Sequence, residues 1–237
     1  MRPGCKGVSV AADSPSIYLA TPCYGGQAHA IYMSSLMAFR PACAAKGVPL
    51  HLDLTGGEAL IGRARAAFLA KFLASPATHL MFIDADIGFE AAAVFRLLEA
   101  GRDVVGGLYP RKAQDPAGPQ ALEVEALPDD PAPDAQGFRR VASLGAGFLM
   151  ISRSAATRIV EAHPELRARL GDMHALGVAE AAMVFDSLID PKTTRYLPDH
   201  QAFCHRWRAL GGEVWADARS ELRHVGEVTH STLVCMV

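Results

Sequence analysis

The sequence predicts an α/β fold, a mostly parallel central sheet flanked by helices, and three observations carry that expectation. Short apolar runs alternate with longer amphipathic segments through the first half of the chain, which is the pattern of βαβ units. Hydrophobic residues make up 50% of the 237 positions, enough to bury a sizeable core. Beyond residue 140 the chain resumes as strand and helix in stretches too short for a separate core, so residues 1–237 read as one domain.

The elements follow in order. SIYLATP (16–22) is an apolar strand stopped by Pro22, and YGGQAHA turns into a helix through IYMSSLMAFRPACAAKG. VPLHLDL (48–54) alternates apolar and polar residues and reads as the second strand. EALIGRARAAFLAKFLAS sets Ile61, Phe68, Leu69 and Phe72 on one helical face, with Pro76 just past its end. HLMFI is the third strand; EAAAVFRLLEA is a helix that meets Gly101 as its stop, and DVVGGLYP is a further strand. Residues 113–140 begin with a stretch rich in proline and acidic side chains, which suits no element interior and reads as a loop excursion. SLGAGFLMISRSAATRIVEAH then gives strand and helix, DHQAFCHRWRALGG a helix and EVWADA a strand, and ELRHVGEVTHS closes the chain without any internal repeat.

Composition narrows the function. A formal charge of -2 and a pI near 6.5 give no global attraction to nucleic acid or to an anionic membrane, so an anionic ligand must be held by local groups. The five cysteines (Cys5, Cys23, Cys43, Cys204, Cys235) are scattered without C-x-x-C spacing, which argues against a disulfide framework or a zinc site and for a reducing, cytoplasmic setting. No apolar run approaches the roughly 18 residues of a membrane span. The pattern carries no signal of oligomeric state.

The stretch THLMFIDADIGF (78–89) runs an apolar strand straight into two aspartates one residue apart. At the carboxyl end of a parallel strand, where ligand crevices lie, Asp84 and Asp86 offer hard oxygen donors suited to Mg²⁺ or Mn²⁺ shared with a phosphate. Ordinary strand termination and helix capping explain such a pair equally well on spacing alone. Arg65 shifts the balance, because it falls on the apolar stripe of its helix while Arg63 points elsewhere, and a charge there calls for an anion or an escape to the edge. The turn after the first strand presents Thr21, Pro22 and Tyr24 before two glycines, and His224 near the C-terminus is able to fold back onto a carboxylate.

Taken in order, the TP of the first strand, LIGRAR, FIDADI, DVVGGLYPRK, LGAGFLMI, YLPDHQAFCHRW and LRHVG resemble a nucleotide-sugar-dependent glycosyltransferase of the GT-A fold and DxD type. The likeness spans residues 16–226 and points to small bacterial members related to the fungal mannan-polymerase type. It implies that Thr21, Pro22 and Tyr24 hold base and ribose, and that Arg65 meets the diphosphate or donor sugar. Asp84 faces the ribose or the metal, Asp86 is the firmer metal ligand, and His224 completes the protein ligands for Mn²⁺ or Mg²⁺. Gly145, Ala146 and Gly147 let donor or acceptor approach, with His200 in the same pocket.

Where the resembling proteins often carry Glu-Asp before an FC pair, this chain has Asp199 and His200. Asp199 is the catalytic candidate, weighed against simple capping of the helix after Pro198. The implied reaction moves a sugar from a nucleoside diphosphate sugar, UDP-sugar favoured, to a glycan or small-molecule acceptor, with retention of configuration. Its rivals are a nucleotide-binding protein with lost or weak transferase activity, and a sugar-nucleotide nucleotidyltransferase. The turn TPCYGGQAHA lacks the basic residues expected of the last.

Overall fold

A computed structural model of the chain describes residues 14–112, 121–169, 176–226 and 229–231. The elements run β1 (Ile17–Cys23), α1 (Ala30–Lys46), β2 (Leu50–Gly56), α2 (Ile61–Ala74), β3 (His79–Ile83), β4 (Ile87–Gly88), α3 (Ala91–Glu99) and β5 (Val104–Gly107). They continue as β6 (Val124–Glu125), β7 (Phe138–Val141), β8 (Ser143–Leu144), β9 (Phe148–Ser152), α4 (Arg153–Ala162), β10 (Arg167–Arg169) and β11 (Glu180–Ala182). The last are β12 (Leu188–Ile189), β13 (Tyr196–Leu197), α5 (Asp199–Ala209), β14 (Val214–Asp217), β15 (Arg223–Val225) and β16 (Thr229–Ser231).

Seven strands form the central sheet in the order β2-β1-β3-β9-β5-β14-β7. β2, β1 and β3 are mutually parallel, β5 and β14 are parallel, and β9 runs antiparallel between β3 and β5. Five strands therefore share one direction, and β9 and β7 oppose it. The alternation of β3 explains how the sheet is held: Leu80 and Phe82 face a core with Phe68, Phe72, Phe203 and Trp207, while Met81 and Ile83 face one with Tyr32, Phe39, Val94 and Phe148. α2, α4 and α5 cover the first side, α1 and α3 the second. Gly47 and Gly101, both at positive φ, end α1 and α3 as left-handed turns that a side chain disfavours.

The expected excursion over 113–140 needs correction at its end. Residues 113–120 lie outside the described residues. The returning limb bridges Leu122 to Pro110, pairs β6 with β8, and then becomes β7, an edge strand antiparallel to β14. Asp134 makes the conversion: its Oδ1 accepts from the backbone N–H of Gln136 and of Phe138, each at 2.9 Å, and turns the chain into the strand. Among the described residues no helix is long and apolar enough to cross a membrane, and Cys23, Cys43 and Cys204 are buried free thiols.

Phe203 stacks on Phe185 with centroids 4.5 Å apart and planes 7° from parallel, both rings fully buried. Phe203→Ala is expected to lower the unfolding free energy by about 3–5 kcal/mol, read from urea denaturation. An unchanged midpoint would contradict this packing.

Candidate functional site

The carboxyl ends of β1 and β3 open on a cleft of about 420 Å³ lined by Pro22, Tyr24, His29, Ile61, Asp84 and Asp86, among others. Asp84 follows β3 directly, and its turn is pinned from four directions. Its N–H donates to Gly147 O at 2.9 Å, Ile87 N–H returns to Asp84 O at 3.1 Å, His29 N–H bonds Ala85 O at 2.7 Å, and Val225 N–H bonds Asp86 O at 3.0 Å. The two aspartates thus sit on a backbone held by β9, the start of α1 and β15. Strand termination alone does not require such support.

Arg65 is buried on α2, as its place on the stripe suggests, and does not snorkel outward. Nη2 donates to Asp84 Oδ1 at 3.1 Å, and Nη1 donates to Asp199 Oδ2. Burial alone would disfavour its charge, but Asp84 and then Asp199 outweigh it and keep the guanidinium firmly protonated. Both terminal nitrogens of Arg65, expected to meet the diphosphate or donor sugar, are thus engaged by carboxylates, while its buried Nε has no hydrogen-bond partner among the described residues. Arg63 points the other way, to Glu58 at 2.6 Å.

Asp86 and His224 come together as the sequence suggested. His224 Nδ1 lies 2.8 Å from Pro110 O; a carbonyl only accepts, so Nδ1 carries the proton and Nε2 faces Asp86 Oδ1 at 3.5 Å. Lys112 Nζ donates to the other oxygen, Oδ2. Burial would raise the Asp86 carboxyl, but His224 and Lys112 bring it down to about 2. Burial likewise lowers His224, and the contact with Asp86 reverses the direction upward. Among the described residues no three His, Cys, Asp or Glu side chains form a ready-made metal cage. The donor set still fits a hard cation, which needs only one or two protein ligands when a diphosphate supplies the rest, and the orientation of His224 by Pro110 is the outer contact such a ligand requires.

Asp199 is not the cap of its helix. Pro198 takes that position, and Asp199 is the first residue of α5, with its side chain turned to Arg65 and His200. Burial acts to raise its carboxyl, and Arg65 together with His200 holds it at about 2. His200 lies with Nδ1 3.4 Å from Asp199 Oδ1 and Nε2 3.4 Å from Glu123 Oε1.

Several other positions differ from expectation. Thr21 is fully buried, its hydroxyl 2.6 Å from that of Tyr32, so it ties β1 to α1 and presents no side chain to the cleft. Pro22 and the 71%-exposed Tyr24 do line it. Ala146 is buried in the core, and the two glycines beside it make room for protein groups. A Cβ on Gly145 would lie 2.2 Å from the Tyr109 hydroxyl, and one on Gly147 would lie 2.8 Å from both that hydroxyl and Asp84 Oδ2. Sequence reasoning missed Tyr109, Lys112 and Glu123. The first two stand in the quoted run DVVGGLYPRK, where a basic residue just past a strand end was the available signal.

No protein family and no curated protein matches the chain. Solved structures do. The crystal structure of GalNAc-T7 with UDP, GalNAc and Mn²⁺ superposes with a TM-score of 0.51 at 11% identity, over 90% of this chain and 43% of that one. The chain therefore spans less than half the length of that neighbour. A glycosyltransferase involved in the glycosylation of the major capsid of PBCV-1 aligns with a TM-score of 0.35 at 9% identity, over 63% of this chain and 67% of that one, a likeness too slight to argue from. The first comparison, with the seven-stranded sheet flanked by helices, shows a GT-A-like α/β fold.

Arg65→Met leaves two carboxylates without their shared cation and is expected to cost about 3–5 kcal/mol of stability at neutral pH. Asp199 has a depressed folded value, so its contribution is present above the ordinary carboxylate value of about 3.9 and is lost as pH falls toward about 2. The gap between wild type and Arg65→Met should thus narrow over that acid window in denaturation measured against pH. A gap independent of pH would contradict the pairing.

Proposed function

We propose that the chain is a metal-dependent glycosyltransferase, one GT-A-like domain that moves a sugar from a nucleoside diphosphate sugar to a glycan or small-molecule acceptor. UDP-sugar is the favoured donor and retention the favoured outcome. The observation that carries this reading is the meeting of Asp86 and His224 Nε2, 3.5 Å apart, with Asp86 lining the cleft at the carboxyl end of the sheet beside Tyr24 and Asp84. The similarity to GalNAc-T7, whose crystal structure contains UDP, GalNAc and Mn²⁺, supports UDP and Mn²⁺ or Mg²⁺ as the partners.

In this reading Asp86 and His224 are the metal ligands, and Asp84 closes the site beside the ribose or the metal. Bound there, Mn²⁺ or Mg²⁺ would neutralise the charge that grows on a departing diphosphate. Lys112, already on Asp86, adds a second positive charge at the same edge. Pro22 and the exposed ring of Tyr24 offer an apolar face to the base. Asp199, held at about 2, is poorly matched to take a proton from an acceptor hydroxyl near neutral pH. That favours retention: the sugar–phosphate bond breaks as the acceptor oxygen bonds the same face, and the departing diphosphate oxygen takes the acceptor proton.

A nucleotide-binding protein without turnover is the second reading, favoured by the same observation that Arg65 and His200 already occupy both oxygens of Asp199. UDP release from a panel of UDP-sugars with Mn²⁺, beside nucleotide titration, separates the two. Binding without release across donors and acceptors would select the second. For the first, Asp86→Asn keeps shape and removes charge; loss of about 4 kcal/mol of transition-state stabilisation lowers turnover roughly a thousandfold. Mn²⁺ affinity measured by titration should fall with it, and unchanged turnover and affinity would sink the ligand assignment.

A further inference from the structure

We propose that Glu123 is a positioning residue for the transfer: it holds His200 as an imidazolium against Asp199, so that both oxygens of Asp199 are fixed by cations. This inference rests on the transferase reading above. The geometry is that of an imidazole with a carboxylate at each nitrogen, Asp199 Oδ1 at Nδ1 and Glu123 Oε1 at Nε2, each 3.4 Å away. A carboxylate only accepts, so both nitrogens face acceptors and both are best satisfied when protonated; a neutral ring would aim a lone pair at one of the acids. The three side chains are only 15%, 12% and 23% exposed, which limits screening by water.

Glu123 is well anchored for the task. Its N–H donates to Tyr109 O at 3.0 Å, its carbonyl accepts from Gly145 N–H at 2.8 Å, and its Oε2 meets Arg111 Nε at 3.2 Å. Of the elements packed on α5, β8 brings Ser143 and Leu144 and β13 brings Tyr196. Glu125 of β6, across from Ser143, is paired with Arg195 at 2.8 Å, and Arg65 and Arg111 act through the two acids. Burial pulls the His200 imidazole down, and Asp199 and Glu123 together reverse this upward. The Glu123 carboxyl is lowered, chiefly by His200.

With both nitrogens committed, His200 has no lone pair to offer an acceptor hydroxyl, so it acts not as a base but by holding Asp199, which in turn holds Arg65 beside Asp84 at the donor cleft. Transfer then requires the protonated ring and falls as pH rises through the raised His200 value. Glu123→Gln keeps the shape of the side chain and removes one of the two acids. Expected are a fall in kcat at neutral pH of roughly tenfold, an alkaline limb of the kcat–pH profile moved to lower pH, and an unchanged KM for the donor. His200→Gln removes that limb. NMR titration of ring-labelled His200 in the full chain, without substrate, gives a readout that does not depend on turnover: the wild-type ring should titrate above its ordinary value and Glu123→Gln should lower it. A wild-type ring titrating at or below the ordinary value, or one indifferent to Glu123→Gln, would overturn the proposal while leaving the transferase reading intact. A shifted ring in a chain that releases UDP from no donor would refute the role in transfer together with the transferase reading.

Discussion

One buried guanidinium fixes the geometry of the site. Arg65 projects from the apolar face of α2, where its charge is tolerable only because Asp84 at the end of β3 and Asp199 at the start of α5 converge on it. Three elements far apart in the chain are thereby locked to one another at a single point. A well-packed hydrophobic trio could match the stability of such an arrangement, but it would not set the two carboxylates at defined positions. Lysine would serve poorly, since its compact ammonium cannot span both acids as the planar fork does.

The second organising feature is the limb that leaves β5. Tyr109, Pro110, Arg111 and Lys112 pass directly between the two halves of the site. The Tyr109 hydroxyl accepts from Gly147 N–H at 2.9 Å and its ring meets His224 edge-on at 5.3 Å. Pro110 orients His224, Lys112 reaches Asp86, and Arg111 reaches Glu123. The glycines of LGAG are explained by this limb, because a Cβ at Gly145 or Gly147 would collide with the Tyr109 hydroxyl. Their smallness serves the wall of the site before it serves any ligand.

What the sequence made legible follows from period and charge. β3, α2 and the place of Arg65 were visible because a charge on an apolar helical stripe has few explanations, and Asp84 and Asp86 because a strand ran straight into them. The direction of β9 was not visible, since it depends on how a long excursion folds back and no local pattern records that. β7 was hidden for the same reason, at the end of a proline-rich stretch. Thr21 could have been placed correctly from period two alone: Ile17 and Leu19 face the core beneath α1, so Thr21 points there as well, and it meets Tyr32. Glu123 had no signal of its own, because in an acidic loop each carboxylate resembles the next until pairing singles one out.

The unusual Asp199–His200 pair makes sense as electrostatics once that pairing is known. From Arg111 at the surface through the buried Arg65 to Asp84 at the cleft, Arg111, Glu123, His200, Asp199, Arg65 and Asp84 alternate in sign, each within ion-pair distance of the next. An acid at position 200 would place three carboxylates in succession, Glu123, residue 200 and Asp199, in a region partly withdrawn from water, where like charges force one another to protonate. With Glu123 supplied by the returning limb, position 200 calls for a cation. Histidine provides one that is planar, short enough to fit between the two acids, and able to address both from opposite edges of its ring. The departure at His200 and the excursion that delivers Glu123 are therefore two parts of one arrangement, and because the row is continuous, the contributions of its members to stability are coupled and not additive.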